Sequence, residues 1–468
     1  MQQSDSSLNR SLVASNEQNK APITKLSPEL LTTMFEFFCS VSMQGRTDVW
    51  NVLFSPAVKA SHVCSVWREL VRSTPHLWSS LSIRLNYKIS SSPQPNQIRP
   101  FVTTHLELSQ KLPLDLDITV LSDADGVKWR RIYLFLSESL VQHSHRWQTV
   151  RLQADLFLPH FIFEENFPFK LPLLRTLDLH GQIDSNKGLV LDAFSNAPSL
   201  RILRVQSPQA GSRALKLPWK QISNLTIESA LLPFALEQTS LAVNADKITF
   251  WGCYRDPEED DEIPVRTLRH NLSSLSIIVD YDDSDFLDFP VFELLTLPNL
   301  SHLSISRDYE IDLSVFDSFL SRSSCVITSL SLFGVDDREA LSFIFRLPSL
   351  STLIVHEKNN RKDNWIITVD FLGALVLSRD SNSIKLRHLQ HLELGLYATF
   401  PEKHIVDLVH SRCIPPIDGV DNLKSFEIKA IAIEGEDPGS FDMERLDEAM
   451  EVCKTLGLNY SSSFVTHL

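Results

Sequence analysis

Apolar residues along this chain follow two rhythms. Between about residues 100 and 430 one phrase recurs, clearest at Leu171–Leu179 (LPLLRTLDL), Ala197–Val205 (APSLRILRV), Leu297–Ile305 (LPNLSHLSI) and Leu347–Val355 (LPSLSTLIV), with looser copies ending at Leu152, Ile227, Phe250, Ile277, Leu332, Leu394 and Ile428. The first apolar residue of each closing pair falls at 150, 177, 203, 225, 248, 275, 303, 330, 353, 392 and 426, so the spacing is 22 to 28 residues apart from two longer steps of 39 and 34. The first long step holds the polar stretch His356–Asn364, read as an insertion. Within a phrase, Leu177 and Leu179 alternate with Thr176, Asp178 and His180, which predicts a strand with one buried face. Ahead of it, Val291, Leu294 and Leu295, or Leu341, Ile344 and Phe345, keep helical spacing. Pro172, Pro198, Pro298 and Pro348 then lack an N–H and push the preceding residue out of helical geometry, so the chain turns there. A single helix and strand cannot bury both faces, but stacked neighbours can.

These repeats resemble the leucine-rich repeat family, whose period is 20 to 29 residues. The resemblance implies an α/β repeat fold: an irregular solenoid with a parallel sheet lining the concave face and helices outside. The asparagine that the family places three residues after the second strand leucine is replaced by Gln182, Pro208, Ala230, Asp308, Val335, Lys358 and Tyr397. An ordinary α/β domain with short buried strands fits the same pattern. Ser440–Leu458 reads as a terminal helix with Met443, Leu446, Met450 and Cys453 on one face and Gly457 as its stop.

The second rhythm belongs to the N-terminal part. Residues 1–24 are polar and read as a tail that cannot offset its ordering entropy. Ser27-Pro28-Glu29 opens a helix with a capping serine, proline at its first position and an acid at the positive end of the dipole. Leu30, Leu31, Met34, Phe35 and Phe38 follow. Ser55-Pro56 opens a second helical stretch carrying Val63, Val66, Trp67, Leu70 and Val71 until Thr74-Pro75, with the polar segment Ser40–Asn51 between. Residues 25–85 thus form a small helical domain, 86–100 a Ser/Pro/Gln linker, 101–438 the repeats and 439–468 a cap helix and tail. So short a unit has too little interior for its large apolar groups, so some of them need a partner.

Taken together, Leu26-Ser-Pro-Glu-Leu-Leu31, Val63-Cys-Ser-Val-Trp-Arg-Glu-Leu70 and Pro75-His-Leu-Trp78 resemble the F-box motif in a form common in fungi. The family's usual Leu-Pro pair is here Leu26-Ser27-Pro28. That resemblance implies a three-helix F-box docking on the Skp-type linker of a Skp–cullin–F-box ubiquitin ligase, with Leu26, Pro28, Leu30, Leu31 and Met34 meeting the linker and Val63, Trp67 and Leu70 supporting or extending that surface. A helical cap on the solenoid is the plainer alternative.

Charge and composition narrow the function. With 44 Lys and Arg against 58 Asp and Glu the net charge is −14, and no basic stripe interrupts it, so nucleic acid is excluded as a partner. Only 13 glycines occur, and neither a dinucleotide fingerprint nor a phosphate loop can be written. No cofactor is expected. The six cysteines lie far apart with no CxxC pair and no apolar signal core precedes them, which predicts reduced thiols in the cytoplasm or nucleus. No apolar run approaches the ~18 residues of a membrane span, so no membrane partner is expected. His143-Ser-His145 lacks a third ligand, the Asp280–Asp288 cluster lacks the glycine of a calcium loop, and Glu258–Glu262 reads as a solvated loop. No G-x-S-x-G elbow occurs.

The function predicted is therefore a non-catalytic adaptor, its repeats holding a target protein close to a ubiquitin-charged enzyme. A scaffold that uses the linker without cullin, or a hydrolase of unrecognised type, stays open. Alternation assigns the outward strand positions to Asp178, His180, Arg204, Glu228, Trp251, His302, Phe333, His356, Glu393 and Glu427. Arg204, Trp251 and Phe333 are the expected hot spots.

Overall fold

A computed structural model describes residues 26–43, 52–86, 95–121, 135–136, 138–154, 169–180, 193–206, 215–255, 267–279, 290–306, 312–335, 337–357, 366–377, 385–397, 399–414, 418–432 and 441–466. The expected tail, the Glu258–Glu262 and Asp280–Asp288 loops and most of the His356–Asn364 insertion lie outside these residues. The chain divides into two compact units, 1–182 with 191–199 and 183–190 with 200–468.

Unit 1 opens with α1 (Pro28–Met43), β1 (Val52–Phe54), α2 (Pro56–Ser61) and α3 (Ser65–Arg72). The Ser27 hydroxyl accepts from the Leu30 N–H, and Ser55 caps α2 by accepting from Val58 at 3.3 Å. The expected second helix is broken at His62–Cys64, and Cys64 Sγ caps α3 by accepting from Trp67. Leu31, Phe35, Ala57, Ala60, Val71, Leu77 and Trp78 form the core beneath these helices. Then follow β2 (Ser80–Asn86), α4 (Pro95–Leu108), β3 (Leu114–Leu121), β4 (Trp147–Ala154) and β5 (Thr176–His180). β1 is antiparallel to β2, while β2 to β5 are parallel, with Leu81, Leu116, Val150 and Leu177 in one register.

Three sequence boundaries shift. Leu81, Ile83 and Leu85 alternate as a strand, so the helical domain does not end at residue 85 but runs directly into the sheet. The linker expected over 86–100 gives way to α4 at Pro95, because Ile98, Val102 and Leu106 keep helical spacing and are buried. The expected C-terminal tail is a strand.

Unit 2 contains β6 (Ile202–Gln206), β7 (Asn224–Glu228), α5 (Leu232–Leu241), β8 (Lys247–Trp251), β9 (Leu268–Arg269), β10 (Ser274–Ile278), α6 (Val291–Leu294), β11 (Leu295–Thr296), β12 (His302–Ser306) and α7 (Leu313–Ser323). It continues with β13 (Ser329–Phe333), α8 (Asp337–Phe345), β14 (Thr352–His356), α9 (Val369–Leu375), β15 (His391–Tyr397), α10 (Lys403–Cys413), β16 (Ser425–Ala432), α11 (Met443–Thr455) and β17 (Asn459–Thr466). Apart from the β9–β11 pair, these strands form one parallel sheet in chain order. The leucine positions read from the sequence are register partners throughout: Leu203, Leu225, Ile248, Leu275, Leu303, Leu330, Leu353, Leu392 and Phe426. All are buried. In the helical layer Phe316 of α7 meets Phe292 of α6 at 5.2 Å and Phe343 of α8 at 4.8 Å, ring edge to face. Where an asparagine ladder would run, Ala230, Val335 and Tyr397 are buried apolar plugs. Among the described residues, no helix is long and apolar enough to cross a membrane.

Candidate functional site

Two surfaces carry the sequence-predicted residues. The first is in unit 1. α1 is apolar on two stripes, and a helix packed on one side can bury only one of them. Leu31 and Phe35 face the core at 4% exposure each, whereas Leu30, Met34, Phe37 and Phe38 are 56%, 44%, 69% and 44% exposed. Val63 and Val66, around the start of α3, are also exposed at 61% and 64%. Leu26, Trp67 and Leu70 are half-buried against the core, and Trp67 meets the Phe35 ring edge-on at 4.8 Å. Pro28 is exposed at the start of α1.

Leu31 is therefore corrected from a docking residue to a core residue. The spacing of one residue from Leu30 turns its side chain about 100° around the helix, into the interior. Phe37, Phe38 and Val66 were not singled out as docking residues. The signal was present, since Leu30, Met34, Phe37 and Phe38 lie at i, i+4, i+7 and i+8, but it reads equally as a core face.

The second surface is the outward face of the parallel strands. In unit 1 it carries bonded charges. Arg84 donates to Asp117 at 2.8 Å, and Arg151 donates to Asp178 at 2.8 Å while His180 contacts the same carboxylate. Asp178, expected outward and accessible, is only 5% exposed because Arg151 and His180 close over it. Burial pushes its carboxyl up, but His180 and Arg151 outweigh that and hold it below the ordinary range.

In unit 2 the outward residues gather into two clusters. In the first, the Arg204 Nε donates to Glu228 at 2.7 Å, and its guanidinium lies 4.7 Å from the centre of the Trp251 ring. In the second, His356 Nε2 lies 2.9 Å from Glu393 Oε1, Lys429 Nζ donates to the same oxygen at 2.6 Å, and Glu427 lies 3.1 Å from that ammonium. The edge of His356 meets Phe333 at 5.3 Å. Burial depresses His356, against the opposing pull of Glu393. Burial raises Glu393, yet Lys429 and His356 more than compensate and leave it ionised.

Trp251 and Phe333 are thus half-buried against neighbouring strands, not bare rings. His302 is exposed, its Nδ1 2.8 Å from the Ser301 hydroxyl, and belongs to neither cluster. Between them the middle rung is short and hydroxylated: Thr226, Thr249, Ser276, Ser304 and Ser331.

Two positions that the sequence reading passed over shape the second cluster. Lys429 is two residues beyond Glu427, so alternation alone puts it on this face. Gly395 sits opposite His356, and a Cβ there would lie 2.8 Å from His356 Cγ. The glycine leaves the space in which the imidazole lies.

The paired histidines lie beside an arginine. His143 and His145 have ring centres 6.5 Å apart, and His143 Nδ1 lies 3.4 Å from the Arg146 guanidinium. No group of three or more ligating side chains that could hold a metal occurs among the described residues. No protein-family model matches this chain, and none of the curated proteins matches it.

Proposed function

We propose that this protein is a substrate-recognition adaptor of a Skp–cullin–F-box ubiquitin ligase, with α1 to α3 as an F-box and the strand–helix repeats as degenerate leucine-rich repeats. The observation that carries the reading is the outer stripe of α1. Leu30, Met34 and Phe37 are exposed on a helix whose adjacent stripe, about 100° around, is sealed into a core, which suits a docking helix. Val63 and Val66 add apolar surface from the second helical stretch. The outward strand face would hold the target protein, with its two side-chain clusters as specific contacts and the hydroxylated rung as a low floor on which a target backbone can lie. Catalysis would come from proximity, with ubiquitin chemistry done by other subunits.

The test is capture of the Skp-type linker and cullin by the full chain. Leu30→Asp combined with Phe37→Asp is expected to abolish linker binding while circular dichroism and melting temperature stay unchanged, because both positions are solvent-exposed. Retained linker binding by that folded variant would overturn the F-box reading. Linker capture without cullin would turn the adaptor into a scaffold.

A further inference from the structure

The net negative charge is not spread evenly along the chain. Residues 200–468, nearly all of unit 2, hold 40 Asp and Glu against 25 Lys and Arg, whereas residues 1–199 hold 18 against 19. Unit 2 therefore accounts for the whole of the net −14, and its long-range field attracts cations. The outward face of its sheet repeats that bias at one place. From β12 to β16 the middle rung runs Ser304, Ser331, Ile354, Glu393 and Glu427 on successive strands. Among the described outward residues of these five strands, histidines apart, the charged side chains are Glu393, Glu427 and Lys429. One ammonium serves two carboxylates: Lys429 lies 2.6 Å from Glu393 and 3.1 Å from Glu427. The Glu427 side chain is 45% exposed. Beside this acidic end, Ile354 and Phe333 are half-buried, so each leaves part of an apolar side chain open on the same face.

We propose that the segment of target protein held on this face is basic and extended, with an apolar side chain on Ile354 and Phe333 and an arginine or lysine two residues further on at Glu427. The inference rests on the outward face being the target surface, and it adds the chemistry of what that surface takes. Adjacent strands are about 4.8 Å apart, so Glu393 and Glu427 stand roughly 5 and 10 Å from Ile354 across the sheet. Residues two apart on an extended chain are about 7 Å apart and on the same side of it, which brings a long cationic side chain between the two carboxylates. The incoming cation takes Glu427 and leaves Lys429 to Glu393, so neither carboxylate is covered without a partner. An acidic segment meets like charge here, both from Glu427 and from the field of unit 2, and is rejected.

Selection of phage-displayed random peptides of about ten residues on the full chain tests this. Enrichment of Arg or Lys two residues after a large apolar residue is expected. A synthetic copy of the selected peptide should bind at least about fivefold more weakly to Glu427→Gln and to Ile354→Ser, with the melting temperature of both variants unchanged. Glu451→Gln removes the same charge from an exposed position on α11, and it should alter affinity by less than about twofold. No enrichment, enrichment of acidic residues, or equal losses in Glu427→Gln and Glu451→Gln overturns the proposal. Acidic peptides weakened by Ile354→Ser overturn the basic chemistry and keep this face as the target surface, whereas peptides indifferent to both face variants overturn the face itself. Linker and cullin take no part in the selection, so loss of linker capture overturns the F-box reading separately.

Discussion

Along α1, Leu30, Met34 and Phe37 stand in water one step around the helix from buried Leu31 and Phe35. On the unit 2 sheet, the equally large Trp251 and Phe333 lie against Arg204 and His356, whose polar atoms are bonded to Glu228 and Glu393. The two surfaces answer the cost of exposed apolar area differently. The helix leaves it uncompensated, as the proposed docking role requires. The sheet shares it among neighbouring strands, so that its face is complete as it stands. Under the proposed function, affinity on the helix should come from burial, and selectivity on the sheet from polar geometry.

The sharpest test of this contrast lies between adjacent residues of α1. Leu31→Asp should cost about 4 kcal/mol or more in urea unfolding of unit 1, since it buries an unpaired carboxylate in the core. Leu30→Asp should stay within about 0.5 kcal/mol of wild type. Equal losses at both positions would erase the distinction between inner and outer stripes.

Acid should find the next weakness, beneath α2. His105 of α4 is buried, with Nε2 3.0 Å from the Ser55 hydroxyl that caps α2 and Nδ1 2.9 Å from the Phe101 carbonyl. Burial depresses it to about 4 from an ordinary 6.5. The unfolded chain therefore takes up the proton first. Unit 1 should hold its full stability above about pH 6.5, lose on the order of 3 kcal/mol as pH falls towards 4, and level off below. Unfolding curves across that range check this, and His105→Gln should flatten the slope.

Much of the fold was legible because strand alternation and proline punctuation recur. Every leucine position read from the repeated phrase lies in a strand, and those of unit 2 share one register. What was missed lies where the signal was short or borrowed. β2 was hidden because Leu81, Ile83 and Leu85 follow directly on a dense helical stretch, and β17 because three consecutive serines, Ser461 to Ser463, interrupt its apolar alternation. The site was less legible. Alternation put Glu393 and His356 on the same face, but nothing linear says that an imidazole will lie over a glycine on the next strand and reach a carboxylate there. Nor can periodicity separate the two apolar stripes of α1 into core and surface.

That glycine offers the third test. Gly395→Ala would set a Cβ 2.8 Å from His356 Cγ, and relieving it means rotating the imidazole away from Glu393. A loss of about 2 kcal/mol is expected, as for other overpacked sites. A full-stability alanine variant with the His356–Glu393 bond intact would show that the sheet face is more compliant than its geometry implies.

The smallest effect concerns Lys429, and it separates stability from recognition. Its ammonium is 41% exposed and bonds Glu393 and Glu427, so water screens much of what it contributes. Lys429→Met should change unfolding free energy by less than about 1 kcal/mol. Its electrostatic role is larger. Burial is the main depressor of His356, Glu393 and Glu427 pull the other way, and Lys429 adds to the depression. Removing the ammonium takes away one depressing charge and frees Glu393 to serve His356 alone, so the imidazole should titrate at higher pH than in the wild type. Proton NMR of the His356 ring during an acid titration reads this directly. An unchanged or lower midpoint would mean that Lys429 and His356 do not compete for Glu393. A raised midpoint in a protein of unchanged stability would show that this corner of the sheet is held for its charge pattern, in contrast to α1, where the outer stripe carries surface and no charge network.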